Sequence, residues 1–251
     1  TGYRVLDDET LDLLAEKGIT FNRFYSASAV CSPTRGSCLT GRNPYRYGIP
    51  TANAGHLKIE EITLPELLKE KGYATGHFGK WHLGHHKEFL PLQHGFDEYV
   101  GLPYSNDMWP GNKRGNPVTK GGPYEPLPIM LQDQAVAHVA DDLDQALLAE
   151  VITDQAIKFI RKNKSQPFFC FIPHSHVHNP RFARPKFLQR AEGNVNRAHV
   201  EEVDDSIGRV LNTIRSLKLD KNTLVMFTSD NGGAGGMSMG PLRGGKGGPK
   251  Y

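Results

Sequence analysis

The segment Cys31-Ser32-Pro33-Thr34-Arg35-Gly36-Ser37-Cys38-Leu39-Thr40-Gly41-Arg42 sets a thiol beside the start of a short helix and a guanidinium one turn further along. Ser32 suits an N-cap and Pro33 the first helical position, which predicts a helix over Pro33 to Thr40 that ends near Gly41. Cys31 then lies at the positive end of that helix. Free backbone N–H groups and Arg35 would both attract an oxyanion there. The same field favours thiolate, so the residues by themselves allow a low-pKa nucleophilic cysteine.

Three further polar clusters each follow a short apolar run. Lys80 and His82 follow Tyr73 to Phe78; His174, His176 and His178 follow Phe168 to Ile172; Asp230 and Asn231 follow Leu224 to Thr228. Short continuous apolar runs read as buried strands of a parallel sheet, and ligands bind beyond the carboxyl ends of such strands. Equivalent topological positions predict that the three clusters converge on one rim. Gly244 to Gly248 carries a further lysine, Lys246, in a setting that allows close approach of a ligand.

The elements that must hold these clusters are legible in the spacing. Asp8 to Lys17 reads as a helix with Leu11, Leu14 and Ala15 on one face and Gly18 as its stop, followed by a strand over Ile19 to Tyr25. Thr63-Leu64-Pro65-Glu66 has the capping-box pattern and opens a helix that runs to Gly72. Helical spacing returns from Leu147 to Lys162, and a longer amphipathic helix is predicted from Arg197 to Leu217 with Val200, Val203, Ile207, Val210, Leu211 and Ile214 as its apolar stripe. Gly101 to Pro128, rich in Gly, Pro and Asn, reads as a surface excursion that shapes a substrate rim. Helices alternating with short strands predict an α/β fold with a largely parallel central sheet flanked by helices.

Composition bounds the possibilities. The 251 residues suit one large α/β domain, and 38% hydrophobic residues with 12 Phe and 9 Tyr supply a core. A net charge of +3 with only short basic clusters does not imply a nucleic-acid partner, and no apolar run is long enough to span a bilayer. Cys31, Cys38 and Cys170 are too few and too scattered for a disulfide framework.

Cys31-Ser32-Pro33-Thr34-Arg35 followed by Leu39-Thr40-Gly41-Arg42 resembles the signature of the type I sulfatases of the alkaline-phosphatase superfamily, in which the first cysteine is converted to formylglycine. Gly79 to Gly84 is similar to that family's second motif, Phe168 to Pro180 to its His-x-Pro loop, Thr228 to Gly233 to its Asp-Asn metal strand, and Leu242 to Gly247 to its distal lysine loop. The resemblance covers nearly the whole chain in the right order. It implies an alkaline-phosphatase-like core and hydrolysis of a sulfate monoester on a carbohydrate or aryl group. Cys31 would become the formylglycine whose hydrate attacks sulfur. Arg35, Lys80 and Lys246 would hold the formylglycine and the sulfate oxygens, and His82 would orient or deprotonate the hydrate. His178, in His178-Asn179-Pro180, would protonate the leaving alcohol; His174 and His176 read as loop histidines expected to make structural hydrogen bonds. Asp230 and Asn231, with converted Cys31, would be ligands to one calcium ion.

The resemblance also implies a formylglycine-generating enzyme as maturation partner, a sulfated small molecule or glycan as substrate, and a periplasmic or secreted location. The family's first strand carries two acidic metal ligands upstream of the Gly-Tyr that corresponds to Gly2-Tyr3, and its smaller C-terminal part follows the lysine loop. Neither is found in residues 1–251, which therefore read as a partial catalytic domain that is itself short of metal ligands. Asp7-Asp8 are assigned to a helix N-terminus rather than to that acidic pair. Three alternatives stay open on the residues: a phosphonate or phosphate diester hydrolase of the same superfamily, a silent anion-binding fragment, and a thiol enzyme using unmodified Cys31.

Overall fold

Alternating apolar runs and amphipathic stretches fold into helices laid on both faces of a five-stranded sheet; the computed structural model describes residues 10–52, 54–115, 124–240 and 242–248. In chain order the elements are α1 (Thr10–Lys17), α2 (Cys31–Thr40), α3 (Pro44–Tyr47), α4 (Leu64–Lys69), β1 (Ala74–Lys80), β2 (Glu98–Leu102), β3 (Leu127–Leu131), β4 (Gln134–Val139), α5 (Asp142–Lys162), β5 (Phe168–Phe171), α6 (Pro185–Arg190) and α7 (Val195–Ser216). The strand order is β4-β3-β2-β1-β5. β1 pairs in parallel with β2 and β5, so the strands that lead into the polar loops form a parallel core, and an antiparallel β3-β4 hairpin extends one edge.

Side-chain alternation along β1 sorts the core into two layers. Phe78 faces α5 and α7, where Ile152, Ala156, Phe159, Ile160 and Ile214 close around it. His77 faces the opposite layer, ringed edge-on by Trp81, Phe96, Tyr99 and Phe171. Burial holds the His77 pKa well below the usual imidazole value, so it packs there as a neutral aromatic ring. Gly79 is required at the end of the strand: its φ of +135° is in the left-handed range, and a Cβ there would lie 2.2 Å from the Pro173 carbonyl oxygen. That close approach brings the chain after β5 against the chain after β1.

Several elements follow their local signals. The Glu66 carboxylate accepts from the Thr63 backbone N–H at 2.7 Å, as the capping box requires, and α5 gains an earlier start from a second box between Asp141 and Asp144. α1 starts at Thr10, and the Thr10 and Leu11 N–H groups donate to Asp204 of α7 at 3.1 and 2.9 Å. Asp7-Asp8 and Gly2-Tyr3 lie outside the described residues, as does the middle of the Gly101 to Pro128 excursion.

Four expectations are corrected. The helix containing Arg35 begins at Cys31, with extended Val30 as its N-cap, so Ser32 is not the cap. Lys80 is the last residue of β1 rather than a loop residue. Ile19 to Tyr25 and Leu224 to Thr228 are not strands among the described residues: they meet no sheet edge, and Ile19, Phe21, Tyr25, Leu224 and Met226 stand exposed. Apolar content in those runs suits a buried strand, but a strand forms only where a neighbour supplies the ladder.

Candidate active site

Cys31 opens α2 in the first turn, where backbone N–H groups have no intrahelical acceptor, and it is buried. Burial pushes its thiol up, yet hydrogen bonds with His178 and His82 and the charges of Lys80 and Lys246 outweigh burial and bring it down to about 2. Those four residues come from three separate loops and a strand end. The predicted convergence of the polar clusters on one rim is therefore what the fold produces.

Each side chain is delivered by a specific backbone arrangement. Lys80 is buried at the end of β1, and its Nζ donates to Ser105 Oγ at 2.9 Å. Burial lowers its pKa to about 8, with Arg35 and Lys246 lowering it further and Cys31 and Asp230 opposing them. His82 takes a positive φ of 60° and is held by its N–H donating to the Pro103 carbonyl at 3.1 Å. Burial and the neighbouring Lys80 bring its pKa to about 4, so at neutral pH it is an uncharged imidazole able to accept a proton. His178 Nδ1 is 2.6 Å from the Asn179 carbonyl, which only accepts; Nδ1 must donate, which leaves Nε2 for Cys31. The lysine loop is pinned on both sides: Lys246 N–H donates to the Gly233 carbonyl at 3.1 Å and Gly247 N–H to the Ala29 carbonyl at 2.9 Å.

Arg35 serves the frame of the site. Its Nη1 donates to the Lys80 carbonyl at 2.6 Å and its Nε lies 3.3 Å from Asp230 Oδ2, so one guanidinium joins α2, the end of β1 and the Asp230 loop. α2 itself is braced by Tyr47, whose hydroxyl donates to the Pro33 carbonyl. Asn231 Nδ2 reaches to 3.9 Å from Cys31 Sγ. Asp230 and Asn231 thus sit beside Cys31 with oxygen donors of the kind a hard cation prefers. They fit calcium by donor type and not by number: among the described residues no group of three or more His, Cys, Asp or Glu side chains could hold a metal.

His174 and His176 turn the other way, onto α7. His174 Nε2 is 2.9 Å from Ser206 Oγ, and His176 stacks on His199 and lies 3.4 Å from Glu202. A turn closed by the His178 N–H donating to the Ser175 carbonyl at 3.1 Å separates two anchors from one site residue within His-x-His-x-His. Ser105, which holds Lys80, has no local signal in Pro103-Tyr104-Ser105-Asn106, because its partner lies 25 residues away. Cys38 and Cys170 take no part, and burial pushes both thiols up.

A family model described as Sulfatase matches residues 1–251. The chain belongs to the sulfatase family. Among curated relatives of this chain, N-acetylgalactosamine-6-sulfatase of Canis lupus familiaris is 36% identical over 261 residues, covering 95% of this chain and 48% of the relative. Arylsulfatase G of Mus musculus is 33% identical, covering 90% of this chain and 47% of the relative. The chain spans about half the length of the curated relatives it matches. Among solved structures, Ps i-CgsB in complex with k-i-k-neocarrahexaose superposes with a TM-score of 0.80 at 26% identity, covering 96% of this chain and 57% of that one. The mixed, mostly parallel sheet flanked by helices is thus the alkaline-phosphatase-like core that the sequence resemblance implies.

Proposed function

We propose that the complete protein hydrolyses a sulfate monoester on a carbohydrate or aryl group, with Cys31 converted to formylglycine, and that residues 1–251 are part of its catalytic domain. The observation that carries this reading is the convergence of Lys80, Lys246, His82 and His178 on Cys31 at the first turn of α2. Two lysines, an oriented neutral histidine and helix N–H groups around one position form a receptor for a tetrahedral anion bearing a reactive atom.

Formylglycine at position 31 would supply an aldehyde hydrate, whose two hydroxyls would serve as nucleophile toward sulfur and as the group that allows sulfate release. The residues around it have separable tasks. His82, uncharged at neutral pH, orients the position and accepts a proton from it. His178, through Nε2, gives a proton to the leaving oxygen as the ester S–O bond breaks, so the alcohol departs neutral. Lys80 and Lys246 face the sulfate oxygens, where their charge offsets that of the transferring group. Arg35 holds Lys80 and Asp230 in register. Asp230 and Asn231 would hold one calcium ion together with ligands from outside the described residues, and a bound cation adds charge stabilisation of the sulfate oxygens.

The N-acetylgalactosamine and carrageenan-fragment names among the relatives support a sulfated sugar as substrate. Family likeness supports a formylglycine-generating enzyme as maturation partner and a periplasmic or secreted location. No helix among the described residues is long and apolar enough to cross a membrane.

The test is the mass of the Cys31 peptide after expression with a formylglycine-generating enzyme, beside a known sulfatase as control. Conversion of thiol to aldehyde, with turnover of an aryl sulfate ahead of the matching aryl phosphonate by the full-length protein, is expected. An intact thiol beside a converted control overturns the reading in favour of a thiol enzyme or a silent pocket; preference for the phosphonate reassigns the substrate.

A further inference from the structure

Arg181 lies three residues after His178, and its guanidinium is committed to four acceptors. Nε donates to the Val177 carbonyl at 3.2 Å, Nη1 to Asn196 Oδ1 and to the Gly235 carbonyl, each at 2.7 Å, and Nη2 to the Ala234 carbonyl at 2.6 Å. These acceptors belong to three segments far apart in sequence. Val177 immediately precedes His178, Asn196 is in the first turn of α7, and Ala234 and Gly235 follow Asn231 by three and four residues. All four acceptors are neutral, and among the described residues Arg181 forms no ion pair. Arg184, three residues on, shows the contrasting use, paired with Glu150 and Glu202. Gly235, at φ +57°, is seated so tightly that a Cβ would lie 3.0 Å from Asn179 Nδ2 and 3.2 Å from Arg181 Nη2.

We propose that Arg181 is a positioning residue that fixes His178 relative to Asp230 and Asn231, by clamping the histidine loop to the loop that follows the Asp-Asn pair. The proposal rests on the sulfate-ester reading above. The transferring group is located from the Cys31 and Asp230 side, while the proton comes from the histidine loop, and a proton donor must sit within hydrogen-bond reach of the leaving oxygen. A rigid planar fork with divergent donors holds two loops at a set spacing in a way that the single point charge of lysine does not. Loss of the clamp therefore costs proton donation more than it costs sulfate binding.

The experiment uses the full-length, formylglycine-bearing protein and a series of aryl sulfates whose phenols rise in pKa. Wild type is compared with Arg181→Ala, Arg181→Lys and Asn196→Ala, with thermal unfolding followed alongside. Arg181→Ala should lose about 100-fold in kcat on the poorest leaving groups, which need the proton, and only a few-fold on the best. The plot of log kcat against leaving-group pKa thus steepens, Arg181→Lys falls between, and added guanidinium ion restores part of the loss on the poor leaving groups. A uniform loss along the series, with unchanged slope, overturns the proposal and leaves Arg181 a structural residue. If Arg181→Ala does not fold, Asn196→Ala, which removes one acceptor, must still steepen the slope, and an unchanged slope there overturns the proposal as well. Failure of the wild type to turn over any sulfate in the series overturns the sulfate reading itself, and the proposal with it.

Discussion

The Arg35 guanidinium joins Asp230 and the Lys80 backbone at once, Nε 3.3 Å from Asp230 Oδ2 and Nη1 2.6 Å from the Lys80 carbonyl. Three elements of the site are therefore set by one planar group. Lysine has a single charged nitrogen and cannot serve both acceptors with that geometry. Arg35→Lys is expected to lower kcat/KM on an aryl sulfate by about 100-fold, the scale seen on removing one preorganised donor. A loss below a few-fold in steady-state kinetics would show that the join is not needed.

Burial draws Lys80 down to about 8, and the Cys31 thiolate is among the charges that hold it up against Arg35 and Lys246. Converting Cys31 to formylglycine removes that thiolate. The sign follows: Lys80 must be charged to face sulfate, its charge is lost as pH rises through its pKa, and the converted protein lacks a group that raised it. The kcat/KM profile should therefore fall on the alkaline side at or below about pH 8, well under the range of an ordinary lysine. Ser105→Ala, which removes the acceptor of the Lys80 ammonium, should move that limb further toward acid. An alkaline limb near the ordinary lysine value, in a pH series at fixed ionic strength, is the contrary result.

In the unconverted protein the prediction concerns the thiol itself. His178, His82, Lys80 and Lys246 hold Cys31 as thiolate, whereas burial keeps the Cys38 and Cys170 thiols protonated. Thiolate absorbance in the ultraviolet should persist between about pH 4 and 8. Its amplitude should vanish in Cys31→Ser and stay in Cys38→Ser. Absorbance that appears only above neutral pH would mean that the four partners do not act on Cys31 together.

Much of this site was legible because its signals are local. Cys31 to Arg42 carries thiol, helix start and guanidinium within twelve residues, and Lys80, His82, His178, Asp230 and Asn231 each stand at or just after an apolar run, although only the runs that became β1 and β5 joined the sheet. What stayed hidden depends on distant partners. Ser105 and Arg181 matter through groups that lie 25 or more residues away along the chain, Ser105 reaching Lys80 and Arg181 reaching Gly235. The β3-β4 hairpin was missed because Pro128 falls inside a strand and its turn, Gln132-Asp133, lacks glycine although Gln132 has a φ of 58°. Ile19 to Tyr25 and Leu224 to Thr228 were over-read for the opposite reason, since apolar content reports suitability for a sheet and not the presence of a neighbour.

Gly79 ties stability and site geometry together. Its φ of +135° disfavours any other residue, and a Cβ would lie 2.2 Å from the Pro173 carbonyl oxygen, the same oxygen that accepts the Lys80 N–H at 2.8 Å. Substitution by alanine must either distort the end of β1 or push Pro173 away. The second outcome breaks the Lys80 backbone bond and shifts the start of the histidine loop that carries His178. Gly79→Ala is expected to destabilise the fold by about 3 kcal/mol, combining backbone strain with the clash. The fraction that remains folded should also turn over slowly. Urea unfolding followed by fluorescence, with turnover measured at a temperature where the variant is folded, reads both effects. A variant with an unchanged unfolding midpoint would show that β1 and the chain after β5 do not need this close approach.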